Sequence, residues 1–308
     1  MMAPSGLSTL LDLPVPAEEI ALTLDLVPMI RSFTDGFLPY SDFNALSLWA
    51  WDVNGTTRVS SIAGALVVRF PGYGMTEPCY SLLGNALCDE SVRTVSEHSS
   101  MAGLSPTLQL VPETVASSLS DVVAAPDVNN HDYVIDVRSL ADSSGNEWAN
   151  HRKRVNRFRA ACGTILSVEP LPLRSEAVRS EALSLFDAWS EWRDPNLILW
   201  ERAALARLLD VACDFGIDST AIRFDGELIG FEISEAVSQH WAIGHFAKTH
   251  PNFRDAARFL DFVTAQRLAQ SGVSLWNIEQ DLGLQGLRDA KKGLHPLGYL
   301  RKFAVAPV

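Results

Sequence analysis

The chain has 308 residues, of which 47% are hydrophobic and 20% are charged. This composition is typical of one large or two medium globular domains, and it excludes collagen-like and disordered chains. The longest apolar run, Ile62 to Val68, is much shorter than the ~20 residues that a membrane-spanning helix needs. The four cysteines form no CxxC pair, which argues against a disulfide framework or a zinc site and favours a reducing, cytoplasmic location.

The net charge of −12 is unevenly distributed along the chain. Residues 1–150 carry 5 Lys and Arg against 18 Asp and Glu, whereas residues 151–308 carry 20 against 19. The first half therefore has a net charge of −13 and the second half a net charge of +1. Binding of a polyanion cannot be a property of the whole surface, but the second half can carry a local basic patch.

In the first half, residue patterns predict a β-meander over residues 49–70, beginning with the strand WAWDV and a type I′ turn at Asn54-Gly55. The strands TTRVSSI and ALVVRF follow, separated by Ala63-Gly64. Residues 132–137 form the next clear strand candidate. Residues 139–150 are polar, which indicates a junction between two domains. The predicted N-terminal domain spans residues 1–145, and the predicted C-terminal, catalytic domain spans residues 146–308. The first half could be a degenerate copy of the second.

The second half has a clearer order, β-α-α-β-β-β-α-β-α-β. This is the layout of the GNAT acyltransferase fold, so we expect an α/β (α+β) protein with tandem GNAT-like folds, in which mixed central sheets are flanked by helices. Apolar residues at helical spacing predict two of the helices, at residues 176–192 and 254–270. The predicted elements span residues 163–168, 176–192, 197–213, 219–224, 227–236, 239–248, 254–270, 273–279, 283–292 and 299–305.

The densest group of chemically active side chains lies between Asn277 and Pro296. Glu279 and Asp281 follow a predicted strand, at the kind of position where open α/β sheets bind ligands. Three cations follow on one face of the next helix, because they are three and four residues apart. An ordinary solvated strand-to-helix corner with ion pairs is the alternative interpretation. The three cations are Arg288, Lys291 and Lys292.

This segment resembles the signature of the C-terminal catalytic domain of phosphatidylglycerol lysyl- and alanyl-transferases. The family pattern has Asn, acidic residues, Asp-Leu-Gly, Gly-Leu-Arg, a Lys and a Pro. Lys302-Phe303 stands where the family has Lys-Tyr. The matching residues are Asn277, Glu279, Asp281, Gly283, Gly286, Leu287, Arg288, Lys291 and Pro296.

Further segments extend the resemblance over residues 40–308. HRKRVNRF, beginning at His151, is similar to the family's Lys-Arg-Asn-x-Ile-Asn-Arg-Phe, although Lys153 replaces the expected asparagine. SDFNALSLWAW, the helix beginning near Glu201 and the hairpin FDGELIGFEI also fit. The resemblance implies tandem GNAT-like domains and transfer of an aminoacyl group from aminoacyl-tRNA to an acceptor.

Aminoacyl-tRNA carries an already activated ester, so the implied reaction needs no cofactor, metal, ATP site or covalent nucleophile. It needs a group for the α-ammonium of the donor, a base for the acceptor and positive charge near the developing oxyanion. Glu279 and Asp281 could hold the α-ammonium, or one of them could be the base. Arg288 and Lys291 could stabilise negative charge. These four are the predicted catalytic residues.

Two further sets of residues complete the predicted site. A basic cluster suits contacts with RNA phosphates, although a solvated junction helix would look the same. A predicted substrate pocket includes a histidine and a tryptophan that could equally be core residues. The predicted tRNA contacts are Arg152, Lys153, Arg154, Arg157, Arg159, Lys292 and Lys302. The predicted substrate contacts are Asn277, Trp276, His245, Lys248 and Glu201.

Coenzyme-A-dependent GNAT enzymes hold pyrophosphate on a glycine-rich loop, but here residues 249–259 contain no glycine. This argues against acetyl-CoA as the donor. An acidic first half would be repelled by anionic lipid, so we expect a small soluble acceptor with an amine or hydroxyl. An antibiotic or other specialised-metabolite pathway would fit such an acceptor, with no stable membrane insertion and no DNA partner. The alternatives are phosphatidylglycerol as acceptor, an acyl-CoA-dependent N-acyltransferase and a non-catalytic RNA-binding module.

Overall fold

A computed structural model describes residues 13–72, 77–85, 87–191 and 195–308. The chain divides into two compact units that are not contiguous in sequence. The first unit runs to Asp132 and also contains Gln280–Gly283 and Leu300–Val308, and the second contains Tyr133–Glu279 and Leu284–Tyr299. The predicted boundary after residue 145 lies inside the second unit. Within the described residues, none of the helices is both long enough and apolar enough to cross a membrane.

The first unit contains two antiparallel sheets. One has the order β1-β2-β3-β4, and the other has β14 between β5 and β6. Buried residues of β3, β4, β5 and β14 pack with residues of α3 and α4 in one apolar core. The strands are β1 (Ile20–Ala21), β2 (Arg58–Ile62), β3 (Ala65–Phe70), β4 (Cys79–Leu83), β5 (Leu108–Pro112), β6 (Val122–Pro126) and β14 (Lys302–Pro307). The helices are α1 (Val27–Thr34), α2 (Ala45–Trp51), α3 (Asp89–Met101) and α4 (Glu113–Ala116).

The predicted strand at residues 49–53 is wrong, because residues 49–51 belong to α2. Asn44 caps this helix by accepting a hydrogen bond from the backbone N–H of Ser47 at 2.8 Å. The turn predicted at Asn54-Gly55 follows this helix and so does not join two strands, whereas the break predicted at Ala63-Gly64 is confirmed. The turn between β2 and β3 is Ala63-Gly64, where both residues have positive φ, 49° and 76°, as a type I′ turn requires.

The second unit contains a seven-stranded sheet of order β13-β7-β12-β11-β10-β9-β8. β11 and β12 are parallel, whereas the pairs β12–β7, β11–β10, β10–β9 and β9–β8 are antiparallel. The strands are β7 (Asp132–Asp136), β8 (Leu166–Glu169), β9 (Asp218–Phe224), β10 (Glu227–Ala236), β11 (Trp241–Thr249), β12 (Leu275–Asn277) and β13 (Gly298–Leu300). The helices are α5 (Val137–Asp142), α6 (Ala149–Cys162), α7 (Glu176–Ser190), α8 (Pro195–Val211), α9 (Ala256–Gln270) and α10 (Gln285–Lys292).

The predicted order of elements in the second half is confirmed, with shifted boundaries. The helix predicted over residues 176–192 is α7, and Trp192 lies outside the described residues. α9 packs on the sheet and on α6 through Phe259, Leu260 and Val263, which are buried as their spacing predicts. The last predicted strand is interrupted at Arg301 and forms β13 and β14.

A buried lysine lies at the centre of a polar cluster in the first unit. The fully buried Nζ of Lys302 donates to Asp132 Oδ1 at 2.7 Å and pairs with Asp42. Ser41 donates its backbone N–H to Asp132 Oδ2 at 2.8 Å, and its Oγ lies 2.8 Å from Gln280 Oε1. Burial alone lowers the pKa of Lys302, but the two carboxylates outweigh that effect and raise it above its usual value.

This environment corrects one sequence prediction. Lys302 was expected among the tRNA contacts, but its side chain has no exposed surface and its charge is neutralised by carboxylates. A lysine in this position cannot reach an RNA phosphate. Its role is to join β14 to the segments that carry Asp42 and Asp132.

Replacing Lys302 with Met should destabilise the protein by about 3–5 kcal/mol, because two buried carboxylates would lose their cation. The exposed Lys292→Met variant should change the free energy of unfolding by less than ~0.5 kcal/mol. Urea unfolding of both variants, followed by circular dichroism, measures the difference. Equal stability of the two variants would contradict the structural role of Lys302.

Candidate active site

The sheet of the second unit opens between its two parallel strands. β11 and β12 pair at only three positions, Trp241 with Leu275, Ala242 with Trp276 and Ile243 with Asn277. β12 then ends, while β11 continues to Thr249. Beyond the pair Ile243–Asn277, the backbone of β11 is no longer paired with β12. The end of β12 is the kind of position where α/β sheets bind ligands.

A β-bulge on β11 lies next to this opening. Ile233 of β10 pairs with Phe246 and Ser234 pairs with Gly244, so His245 is the extra residue of the bulge. Its Nε2 lies 3.3 Å from Glu235 Oε2, and both side chains are buried. This burial fits the core-histidine interpretation better than direct substrate contact.

Two of the predicted substrate contacts lie together. The ammonium of Lys248, on β11, lies 2.7 Å from Glu201 Oε1, on α8. The same ammonium lies 4.1 Å from the centre of the Trp189 ring, within the range of a cation–π interaction. The structure thus pairs these two predicted residues with each other and holds Lys248 in a largely buried position.

A carboxyl group that the sequence analysis missed lies on the adjacent strand. Glu232 is buried in β10, and burial raises its pKa well above the usual value. Among the described residues, neither Glu232 Oε1 nor the indole N–H of Trp276 has a hydrogen-bond partner. The available sequence signal was an acidic residue inside the apolar strand segment LIGFEIS.

Gly244 lies between these two polar groups. A Cβ atom at this position would be 2.8 Å from Trp276 Nε1 and 3.1 Å from Glu232 Oε1. The absence of a side chain on Gly244 is therefore required by the way in which the three strands pack here.

The segment after β12 turns sharply because of the buried Asn277. Its Oδ1 accepts a hydrogen bond from the backbone N–H of Glu279 at 2.7 Å, and Glu279 has a φ of 60°. The Nζ of Lys291, on α10, donates to the carbonyl of Ile278. The same Nζ lies 6.0 Å from the centre of the Tyr133 ring. Within the second unit, one predicted catalytic cation therefore reaches the end of the strand that carries Asn277.

Asp281, the other predicted catalytic carboxylate, has a different environment in the first unit. Its side chain is buried, and its Oδ1 accepts a hydrogen bond from the backbone N–H of Gly283 at 2.8 Å. The backbone N–H of Leu282 donates to the carbonyl of Asn129 at 2.9 Å. Asp281 therefore stabilises its own loop, and the half-buried Glu279 is the better candidate for contact with a substrate.

The predicted basic cluster lies on α6, but two of its arginines are already paired. Arg154 Nε and Arg157 Nε donate to the two carboxylate oxygens of Asp255 at 2.6 and 2.7 Å. Asp255 directly precedes α9 and has a φ of 67°. Burial raises its pKa, but the two guanidinium groups outweigh burial and hold that pKa below its usual value.

The other cations of the cluster remain better placed for an anionic ligand. Arg152 donates to the carbonyls of Ser143 and Gly145 at 2.5 and 2.6 Å. Lys153 is exposed, and the exposed Arg159 lies over the Phe259 ring at 5.7 Å. Lys292 is exposed on α10, and Arg288 on the same helix is half-buried.

Replacing Gly244 with Ala should destabilise the protein by about 1–3 kcal/mol, because the new methyl group overpacks the space between Glu232 and Trp276. Gly286→Ala is the matched control, since a Cβ there meets nothing within 4 Å and the residue lies inside α10. That control should be neutral or stabilising by up to ~1 kcal/mol. Chemical unfolding measures both changes, and an unaffected Gly244→Ala variant would show that the strands are not packed closely here.

Comparisons with known proteins agree with this fold. Solved structures that match include a conserved Bacteroides thetaiotaomicron protein of unknown function, with a TM-score of 0.81, 20% identity and coverage of 94% of this chain and 99% of that one. L-PGS from Bacillus licheniformis matches with a TM-score of 0.62 and 13% identity, covering 93% and 92%. FemX matches with a TM-score of 0.54 and 9% identity, covering 93% and 96%. No curated protein sequence matches.

The expected fold class, tandem GNAT-like folds with mixed sheets flanked by helices, is confirmed. The family model described as "Phosphatidylglycerol lysyltransferase, C-terminal" matches residues 40–306. That match includes both units, the opening between β11 and β12 and the segment from Asn277 to Pro296. The chain therefore belongs to the phosphatidylglycerol lysyltransferase C-terminal family, a family of aminoacyltransferases.

Proposed function

We propose that this protein transfers an aminoacyl group from aminoacyl-tRNA to a small soluble acceptor that carries an amine or a hydroxyl. The observation that carries this proposal is membership of an aminoacyltransferase family over residues 40–306. The position of Asn277, Glu279 and Lys291 at the end of β12 supports it, because ligands of α/β sheets bind at strand ends.

The reaction exchanges one acyl bond for another. The nitrogen or oxygen of the acceptor attacks the ester carbonyl of the aminoacyl-tRNA, and the bond to the terminal ribose oxygen breaks. The proton lost by the acceptor is taken up by that leaving oxygen. Because the ester is activated before it is bound, the protein has to bind, orient and stabilise charge.

Glu279 and the cations of α10 have distinct roles in this scheme. The Glu279 carboxylate binds the α-ammonium of the donor, since an ammonium and a carboxylate form charge-assisted hydrogen bonds. Arg288 and Lys291 stabilise the negative charge that develops on the carbonyl oxygen and the leaving ribose oxygen. The contact of Lys291 with the Ile278 carbonyl holds its ammonium at the end of β12.

The start of α9 supports an RNA donor over coenzyme A. Coenzyme-A-dependent GNAT enzymes bind pyrophosphate to backbone N–H groups at this position. Here the carboxylate of Asp255 lies at that helix start and is held by Arg154 and Arg157. Residues 249–259 contain no glycine, and these ion pairs occupy the start of the helix in place of a glycine-rich pyrophosphate loop, so an acyl-CoA donor is disfavoured.

The charge of the first half supports a soluble acceptor. Residues 1–150 have a net charge of −13, which opposes approach to an anionic lipid surface. A small amine or hydroxyl compound, such as an intermediate of antibiotic biosynthesis, carries no such penalty.

Phosphatidylglycerol is the second candidate acceptor, favoured by apolar side chains on and beside α10. Leu284 and Leu287 are 50% and 37% exposed, and Leu297 and Tyr299 are 65% and 40% exposed. An exposed apolar group next to basic residues is typical of surfaces that bind lipid.

Replacing Glu279 with Gln should lower aminoacyl transfer at least 100-fold, because the amide cannot neutralise the α-ammonium of the donor. Glu97→Gln, at an exposed position on α3, is the matched control and should keep full activity. Loss of radiolabelled amino acid from charged tRNA, measured with and without acceptor pools, gives the rate. Absence of acceptor-dependent loss for every amino acid tested would overturn the proposed function.

The same assay distinguishes the two acceptor classes. A soluble acceptor predicts transfer into low-molecular-weight amines or alcohols and unchanged rates in the Leu284→Ser, Leu287→Ser double variant. A lipid acceptor predicts labelled product in phosphatidylglycerol vesicles and a rate reduced at least tenfold by that double variant. Product only in the vesicle fraction would contradict the soluble acceptor.

A further inference from the structure

A small cavity lies between α6, α9 and the end of α5 in the second unit. Its volume is about 110 Å³. The residues that line it and bear on the argument are Asp142, His151, Arg152, Asn156, Arg159 and Phe262. Three of them, His151, Arg152 and Asn156, come from the segment HRKRVNRF, in which His151 has no predicted role.

His151 is the unusual member of this set. It is 4% exposed, and neither ring nitrogen has a hydrogen-bond partner in the part of the chain that the structure describes. Its ring packs edge-on against Trp148, with 5.3 Å between the ring centres. Buried polar groups are nearly always hydrogen-bonded, so a buried imidazole beside a cavity indicates a bound partner.

The electrostatics of the cavity favour an anion. Arg152 and Arg159 carry positive charge at the cavity, and Asp142 offsets one of these charges. Burial, followed by the charges of Arg258, Arg154 and His295, lowers the pKa of His151 to about 4. The ring is therefore neutral near pH 7, where it offers one N–H donor and one acceptor nitrogen.

The size of the cavity is sufficient for a small anion. One water molecule needs about 10–15 Å³ of cavity volume of this kind, so a cavity of about 110 Å³ has room for a polyatomic ligand. This space accommodates one tetrahedral oxyanion. The guanidinium groups and the imidazole N–H that line the cavity are donors suited to such an oxyanion.

We propose that the cavity beside His151 binds one phosphate group, with Arg152, Arg159 and the His151 N–H as donors. The phosphate site itself does not depend on the proposed function. Only the origin of the phosphate group does, because an aminoacyl-tRNA donor would supply that group from its backbone. A free phosphate compound would offer the same chemistry.

Titration with inorganic phosphate tests the site directly. The ring resonances of His151, followed by NMR, should shift saturably, and the His151→Phe variant should bind phosphate at least tenfold more weakly. Replacement of the exposed His240 with Phe is the matched control and should leave phosphate binding unchanged. Arg159→Ala, an exposed change with little risk to folding, should also weaken binding tenfold.

A second titration with uncharged tRNA identifies the source of the phosphate group. Weaker binding of both phosphate and tRNA by His151→Phe and Arg159→Ala supports a backbone phosphate in this cavity. Weaker binding of phosphate alone supports the phosphate site and assigns it to a free compound. Unchanged phosphate binding in both variants would overturn the inference. Phosphate binding is measured without aminoacyl-tRNA and without an acceptor of the aminoacyl group. Failure of the transfer assay would therefore leave the result of this titration unaffected.

Discussion

The parallel contact between β11 and β12 lasts for three residue pairs, and the arrangement of the candidate active site depends on where it stops. Because β12 ends at Asn277, the chain turns away there, and the side chain of Asn277 stabilises that turn through the Glu279 N–H. On the other strand, a bulge places His245 outside the regular pairing. Both deviations interrupt the regular ladder of backbone hydrogen bonds, as expected where a sheet has to accommodate a ligand.

Burial of charge explains why several predicted ligand contacts are paired with carboxylates. A buried cation is stable only when carboxylates or other acceptors surround it. Lys302 pairs with Asp42 and Asp132, and Lys248 pairs with Glu201. The pairing of Asp255 with two arginines of α6 follows the same rule. Cations in these pairs are neutralised and attract phosphate less strongly. The basic surface of the second unit is therefore smaller than the number of its Lys and Arg residues suggests.

Apolar spacing was sufficient to predict the order of strands and helices in the second half, because amphipathic helices and half-buried strands repeat with different periods. It failed at residues 49–51, where a short apolar segment fits either period and the Asn44 cap selected a helix. The signature segment identified the family, yet it could not separate Glu279 from Asp281. Their carboxylates are two residues apart in sequence, but one is buried within its own loop and the other is half-exposed.

The sequence by itself determined the fold class, the family and the short list of residues from which an active site could be built, since periodicity and motif spacing are local properties. Tertiary structure alone decided which of those residues are buried, which are paired and which lie together. Lys302 and Lys292 are equivalent cations in the sequence, but one is enclosed by carboxylates and the other is exposed. Only the structure shows that Glu232 Oε1 and both ring nitrogens of His151 are buried without a hydrogen-bond partner among the described residues. The physical reason is that desolvation and pairing depend on residues distant in the chain, which no local pattern records.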